Sequence, residues 1–230
     1  ITLTDSFHGR TLTTVAATGQ PKYQKPYRPL TPGFIHVPIG DFDALAAAVT
    51  DKTAAIMLEP IQGESGVHPC EEEYLKKVRA LCDEKGIVLI FDEVQTGIGR
   101  TGKLFAYEHY GVEPDIFTLA KALGGGVPIG AVCAKEAFCA FEPGDHGSTF
   151  GGNPFSSAAG CAVLDIIEHE GLVEHAAEVG AYLKEKLCAL AKNYPDKIAA
   201  VRGVGLMLGV EYKGGLVKAV NDALFARHIL

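Results

Sequence analysis

The stretch Ile87-Val88-Leu89-Ile90-Phe91-Asp92 decides the fold, because five consecutive apolar residues end on a carboxylate. A strand that is apolar on both faces is typical of a parallel sheet covered by helices on each side. Before it, residues 71–85 carry an apolar stripe at helical spacing with acidic residues in the first turn, and Gly86 is a stop signal. With a preceding strand at 55–58, the segment 55–91 predicts a β-α-β unit.

Two more apolar runs extend this sheet downstream. Strands are predicted at 116–119 and 129–134. Asn153-Pro154 then caps a helix that ends near Gly171. We therefore expect an α/β fold with a mostly parallel sheet.

A second long helix is broken by Pro195, and a strand at 206–211 and a helix from about 216 follow. We place a domain boundary there, with a large domain over 1–195 and the beginning of a smaller α+β domain over 196–230. The proline-rich segment 19–40 is predicted to be a long loop, and loops of that length are often functional.

Composition narrows the class of protein. With 230 residues, 47% of them hydrophobic, and a net charge of −7, the chain is typical of a soluble globular protein and argues against a nucleic-acid binder. The uncharged apolar stretch 122–134 is too short to cross a bilayer. The cysteines lack C-x-x-C spacing and lie mostly in apolar stretches, which predicts buried free thiols in the cytoplasm and no metal site. They are Cys70, Cys82, Cys133, Cys139, Cys161 and Cys188.

Two reactive side chains follow neighbouring predicted strands. Asp92 ends the strand at 87–91, and Lys121 comes just after the strand at 116–119, before three glycines. Ligands of open α/β sheets bind outside the carboxyl ends of the strands. A lysine amine that forms a Schiff base and a carboxylate that keeps a pyridine nitrogen protonated are what pyridoxal phosphate requires. A turn cap at Asp92 and a solvated surface lysine are the alternative interpretations.

A third candidate element is the segment 147–154, which places hydroxyls and glycines just before a helix N-terminus. Such a position suits a phosphate, although an ordinary helix cap has the same composition. A competing function comes from residues 97–102, which fit the G-x-G-x-x-G pattern of a nucleotide-binding oxidoreductase. The polar run between strand and glycines argues against it, because the pattern requires the first glycine in the turn that leaves the strand.

Five motifs, in the expected order, resemble those of the class III pyridoxal-phosphate aminotransferases, which have the fold-type I architecture. The resemblance runs over almost the whole chain. Its motifs are 5–11 (Asp-Ser-Phe-His-Gly-Arg-Thr), 58–64 (Leu-Glu-Pro-Ile-Gln-Gly-Glu), 91–97 (Phe-Asp-Glu-Val-Gln-Thr-Gly), 119–126 (Leu-Ala-Lys-Ala-Leu-Gly-Gly-Gly) and 147–154.

The resemblance implies roles for the residues around the cofactor ring. Lys121 matches the Schiff-base lysine that also moves the substrate proton, and Asp92 matches the partner of the pyridine nitrogen. Val94 and Phe7 match residues on the two faces of the ring, and Gln95 matches a residue that hydrogen-bonds the ring hydroxyl.

The resemblance also implies substrate and phosphate contacts. Thr149 matches a residue that binds the phosphate held in a neighbouring subunit, and Ser148 would lie near the substrate. Arg10 matches a residue that binds a substrate carboxylate. Glu64 matches a gate residue, which pairs with a downstream arginine when no α-carboxylate is bound. No role is assigned to Glu59.

Within the family, residues 120–131 and the proline-rich loop are most similar to the members that act on acetylornithine. The expected reaction is transfer of its δ-amino group to 2-oxoglutarate, in a homodimer with shared active sites, as part of arginine biosynthesis. Related enzymes acting on ornithine, succinylornithine or 4-aminobutyrate, and a non-catalytic relative, are the alternatives.

The resemblance further implies a glycine-rich phosphate loop before Ile1 and a carboxylate-binding arginine after Leu230. We therefore expect this sequence to be an internal piece of a longer protein. The 230-residue segment by itself should lack transaminase activity, and robust turnover in an amine-transfer assay would contradict this interpretation of the two ends.

Overall fold

A computed structural model describes residues 1–229 as alternating strands and helices. The strands are β1 (Thr2–Leu3), β2 (His36–Val37), β3 (Ala55–Leu58), β4 (Ile61–Gln62), β5 (His68–Pro69), β6 (Val88–Asp92), β7 (Ile116–Leu119), β8 (Ala131–Ala134), β9 (Ile198–Val204) and β10 (Met207–Tyr212). The α-helices are α1 (Leu12–Ala17), α2 (Pro21–Gln24), α3 (Phe42–Ala48), α4 (Glu72–Lys85), α5 (Pro154–His169), α6 (Leu172–Asn193) and α7 (Val217–Phe225). Short 3-10 helices cover Lys25–Tyr27, Ala106–His109, Lys121–Gly124 and Glu136–Phe138.

The central sheet has the strand order β3-β6-β7-β8. The first three strands are parallel, and β8 runs antiparallel to β7. The mostly parallel α/β fold is therefore confirmed. The strand predicted at 129–134 is β8, which begins two residues later than predicted. A turn closed by a hydrogen bond from Val127 N–H to the Gly124 carbonyl oxygen at 3.0 Å precedes it.

The core lies between this sheet and α4. Leu58, Leu89 and Phe91 are fully buried on the strands, and Leu75 and Val78 are fully buried on the helix. Leu89 and Phe91 lie on the fully buried face of β6, whereas Val88 and Ile90 on its other face are half-buried. Each fully buried side chain contributes about 1.5–3 kcal/mol through removal from water, so the carboxyl end of β6 has a rigid support.

The predicted helix boundaries reflect local chemistry. Gly86 ends α4 with φ 65°, a left-handed conformation that costs glycine little. Asn153 caps α5, since its Oδ1 accepts a hydrogen bond from Ser156 N–H at 3.0 Å. These two boundaries were predictable because capping depends on residues close in sequence.

Three predictions from sequence need correction. Only Cys70 and Cys82 are buried, whereas Cys139 and Cys161 are exposed and Cys133 and Cys188 are half-buried. The proline-rich loop contains α2, a 3-10 helix and β2, because proline at the first helical positions is compatible with short helices. A strand, β9, was not predicted, since its seven residues include two polar or flexible ones at Arg202 and Gly203.

Strands β9 and β10 form an antiparallel hairpin that packs on α6. The packing is close: a Cβ added at Gly180 of α6 would lie 2.2 Å from the Gly205 carbonyl oxygen, and one added at Gly205 would lie 2.3 Å from the Thr101 carbonyl carbon. The domain boundary at residue 195 remains a prediction. Among residues 1–229, no helix has the length and apolarity needed to cross a bilayer.

We expect Gly180→Ala to lower the free energy of unfolding by about 1–3 kcal/mol, because the new methyl group meets backbone that cannot yield. Gly147→Ala is the matched control, since an added Cβ there has open space. Denaturant titration of both variants measures the difference. Equal unfolding free energies would show that the hairpin does not pack on α6 this closely.

Candidate active site

Asp92 ends the buried strand β6 and accepts hydrogen bonds from three segments. Its Oδ1 accepts from Val94 N–H at 3.1 Å and from the Thr118 hydroxyl at 3.2 Å, and its Oδ2 pairs with His8 Nδ1 at 2.9 Å. The Asp92 side chain is only 7% exposed. Three donors from separate parts of the chain therefore fix the orientation of one buried carboxylate.

His8 is a residue to which the sequence analysis assigned no role. Its side chain is completely buried, and its Nε2 has no hydrogen-bond partner among residues 1–229. Its Nδ1 contact brings the segment after β1 onto the end of β6. No local signal identified it, because the partner carboxylate is 84 positions away.

Lys121 follows β7, the neighbour of β6, and has φ 46°. A non-glycine residue in this left-handed region costs of order 1–3 kcal/mol, and such strain is often found at functional sites. Lys121 lines a cleft of about 360 Å³ together with Val94 and Gln95. Asp92 does not line this cleft, but it accepts a hydrogen bond from the backbone N–H of Val94, which does. The structure therefore places three of the predicted site residues on one cleft, with Asp92 one hydrogen bond away from it.

Buried Glu93 holds the loop that carries Val94 and Gln95. Its carboxylate accepts hydrogen bonds from Ala106 N–H at 2.9 Å, from Tyr107 N–H at 2.8 Å and from the Thr96 hydroxyl. Burial raises the pKa of Glu93, while these three donors oppose that shift. The carboxylate ties residue 93 to residues 106 and 107 and so closes the loop between them.

Buried Glu59 performs a similar task on the other side of the site. It accepts hydrogen bonds from Phe7 N–H at 2.9 Å and Gly63 N–H at 3.1 Å, and burial raises its pKa. Nearby, Gln95 Nε2 donates to Glu64 Oε1 at 3.4 Å. Glu59 therefore links the segment that carries Phe7 to the segment that carries Gly63 and Glu64. Its sequence context did not reveal this role.

Phe7 and Arg10 belong to one aromatic and cationic cluster. The Arg10 guanidinium lies 4.8 Å from the Tyr23 ring centroid and 5.9 Å from that of Phe7. The Phe7 and Tyr23 rings meet edge to face at 5.3 Å. Such contacts orient an exposed guanidinium without neutralising it, so Arg10 keeps its charge available for an anion.

Ser148 and Thr149 lie apart from the other predicted residues. Both are exposed on the segment before α5, and the Ser148 hydroxyl oxygen accepts a hydrogen bond from Gly151 N–H at 2.9 Å. Neither residue lines the Lys121 cleft. In this single chain their roles remain predictions.

The glycine pattern at 97–102 serves packing and not a dinucleotide. The chain runs through turns here, and the next helix is the short 3-10 helix at 106–109, so no α-helix N-terminus follows the glycines. A Cβ at Gly97 would lie 2.9 Å from the Glu93 carbonyl oxygen, and one at Gly102 would lie 2.8 Å from Ala177. The oxidoreductase alternative therefore lacks the geometry that its fingerprint requires.

Comparison with known proteins identifies the family. The sequence signature described as aminotransferase class-III matches residues 1–227. The chain belongs to the class III aminotransferases. Members of this family depend on pyridoxal phosphate. This class III chain is 62% identical over 205 residues to the acetylornithine aminotransferase of Gloeobacter violaceus, covering 89% of this chain and 51% of the relative.

Three further similar proteins are also aminotransferases. The acetylornithine aminotransferase of Methanocaldococcus jannaschii is 58% identical, with 92% of this chain and 53% of the relative covered. The ornithine aminotransferase of Toxoplasma gondii superposes with a TM-score of 0.94 at 37% identity over 100% of this chain and 56% of that one. The acetylornithine aminotransferase of Elizabethkingia anophelis has a TM-score of 0.84 at 39% identity, covering 100% and 58%. This chain spans about half the length of these relatives.

The class III site fits the cofactor of its family. A carboxylate offers about four acceptor positions, and Asp92 uses three of them, two on Oδ1 and one on Oδ2. One position on Oδ2 is therefore left for a protonated ring nitrogen. The exposed amine of Lys121 and the half-buried Val94 border the same cleft.

Replacing Glu93 by alanine should lower the free energy of unfolding by about 1–3 kcal/mol for each buried donor left without an acceptor. Glu113→Ala is the control, because the exposed Glu113 pairs with Lys135 at 3.6 Å and should contribute less than about 1 kcal/mol. Chemical denaturation measures both variants. A Glu93 variant as stable as the control would contradict the proposed closure of the loop.

Proposed function

We propose that the full protein transfers the δ-amino group of N2-acetyl-L-ornithine to 2-oxoglutarate, giving N-acetylglutamate 5-semialdehyde and glutamate. The observation that carries this proposal is the cleft lined by Lys121, Val94 and Gln95, together with the buried carboxylate of Asp92, which accepts a hydrogen bond from Val94 N–H. The name shared by the relatives with 62% and 58% identity supports the choice of substrate.

Bound pyridoxal phosphate supplies an electron-accepting ring that stabilises negative charge on the substrate carbon. In our proposal Lys121 has two tasks. Its amine would hold the cofactor through the cofactor's aldehyde group, and the same amine would accept and return the proton of the substrate carbon. The exposed position of Lys121 on a 3-10 helix at the edge of the cleft suits an amine that must change partners.

The remaining cofactor contacts keep the ring in one orientation. Asp92 would stabilise the protonated ring nitrogen, and the buried His8 keeps that carboxylate in place. Val94 and Phe7 would pack on the ring, and Gln95 would hydrogen-bond the ring hydroxyl. A buried, hydrogen-bonded carboxylate suits this task because its orientation is set before the cofactor arrives.

Substrate recognition would involve three predicted residues that do not themselves line the Lys121 cleft in this chain. Arg10, oriented by Tyr23, binds a substrate carboxylate through its planar guanidinium. Glu64, held by Gln95, is the gate residue that responds to the presence of a second carboxylate. Ser148 lies near the substrate.

We further propose a homodimer in which Thr149 binds the cofactor phosphate of the neighbouring subunit. The loop around Thr149 supports this, because Phe141, Phe150 and Phe155 are 80%, 83% and 74% exposed. Large apolar side chains exposed in one region mark protein interfaces. We place the enzyme in arginine biosynthesis in the cytoplasm.

In the full-length protein, Lys121→Ala should abolish the visible absorbance that pyridoxal phosphate acquires on bonding to a lysine, and transaminase activity with it. Borohydride should erase the same band in the unaltered protein. Lys103→Ala, at an exposed lysine outside the Lys121 cleft, should keep both properties. Persistence of the band in the Lys121 variant would contradict the assignment of Lys121.

Half-reaction rates identify the substrate. We expect N-acetylornithine to react with a kcat/KM at least about tenfold above that of ornithine and of 4-aminobutyrate. A tenfold ratio corresponds to about 1.4 kcal/mol of transition-state stabilisation. Succinylornithine should be included, because it shares the δ-amine. A preference for free ornithine or 4-aminobutyrate would replace the proposed substrate and keep the reaction type.

A further inference from the structure

The turn between β4 and β5 forms one wall of the Lys121 cleft, and it is strained. Gly63 and Val67 line the cleft. Gly66 has φ 121° and Val67 has φ 58°. A β-branched residue in the left-handed region is a genuine outlier, at a cost of order 1–3 kcal/mol, and persists only where its surroundings hold it.

Arg202 of β9 provides that hold from a distant part of the chain. Its Nε donates to the Val67 carbonyl oxygen at 3.2 Å, and its Nη2 donates to the Gly66 carbonyl oxygen at 3.2 Å. Its Nη1 pairs with Glu211 on the neighbouring strand β10. One guanidinium therefore connects the carbonyl groups of both Gly66 and Val67 to the β9–β10 hairpin.

The hairpin that carries Arg202 also lines the cleft. Its tip residues Leu206, Met207 and Leu208 line the cleft with Lys121. Leu206 N–H donates to the Arg100 carbonyl oxygen at 3.0 Å, which fixes the tip. The turn and the hairpin tip therefore form two walls of one cleft, and the bonds from Arg202 to the adjoining turn hold the turn at a fixed distance from the hairpin.

The register of the hairpin favours this contact. Gly209 of β10 is the partner of Arg202 across the ladder. A Cβ at Gly209 would lie 2.9 Å from the Val67 Cβ and 3.1 Å from the Gly66 carbonyl oxygen. The turn can therefore approach the hairpin backbone closely at the place where the guanidinium reaches it.

We infer that Arg202 is a positioning residue that fixes the separation of the two walls of the substrate cleft. The kinetic effect expected of Arg202 rests on the proposed function, whereas its structural effect rests on the contacts described above. Lysine cannot replace it, because a single ammonium lacks the planar fork that meets two carbonyl oxygens and a carboxylate at once.

The test compares three variants of the full-length protein. Arg202→Lys keeps the charge and removes the fork. Arg227→Lys is the matched control, since Arg227 donates to the Ala223 carbonyl oxygen within its own helical segment, away from the cleft. Glu211→Gln removes the ionic partner and leaves both carbonyl bonds of Arg202 in place.

Hydrogen exchange of the cofactor-free protein gives the first readout. In Arg202→Lys the amides of Gly66 and Val67 should exchange about tenfold faster than in the unaltered protein, because local opening of the turn becomes easier. The core strand β6 should be unchanged. Both other variants should resemble the unaltered protein. Unchanged exchange at the turn, or faster exchange spread evenly over the chain, would overturn the inference.

Kinetics of the cofactor-loaded protein give the second readout. Arg202→Lys should lower kcat/KM for the amino donor about tenfold, with cofactor affinity changed less than about twofold, because the hydrogen bonds that hold Asp92 and the loop of Val94 do not involve Arg202. Loss of stability without this kinetic change, or an equal effect in Glu211→Gln, would overturn the inference. If the unaltered protein fails to transaminate, the proposed function fails while the exchange result still stands.

Discussion

The carboxylate of Asp92 accepts hydrogen bonds from three segments that are far apart in sequence, and most of the site depends on this arrangement. His8 follows β1, Thr118 belongs to β7, and Val94 begins the loop after β6. Each donor brings its neighbours with it: Phe7 and Arg10 with His8, Lys121 with Thr118, and Gln95 with Val94. The support for the carboxylate is β6 itself, whose residues Leu89 and Phe91 are fully buried.

Two further buried carboxylates extend this principle outward. Glu93 closes the loop after β6, and Glu59 links the segment at Phe7 to the turn at Gly63. Burying a charge is costly unless donors satisfy it, and in both cases backbone N–H groups do so. The backbone around the site is therefore held by buried carboxylates that accept hydrogen bonds from backbone N–H groups.

Much of the fold was predictable because its signals are local. The strands β3 and β7 follow from apolar runs and match the predicted residues, and Gly86 and Asn153 mark helix ends through their own chemistry. The boundaries of β8 depend on a turn whose hydrogen bond no propensity reveals.

In the candidate site, too, only residues with a local sequence signal could be predicted. Asp92 and Lys121 could be predicted since each follows a recognisable strand. His8, Glu59 and Arg202 could not, because each has a partner that is distant in sequence, 84, 52 and 135 positions away respectively, which nothing in the local sequence specifies.

The antiparallel strand β8 has a practical consequence for work with this chain. Among residues 1–229 it pairs only with β7, and Val132 on it is 72% exposed. An uncovered edge strand with an apolar side chain is a template for association with another β-strand. Preparations of the isolated 230-residue polypeptide should therefore be handled at low concentration, where edge-to-edge aggregation is slowest.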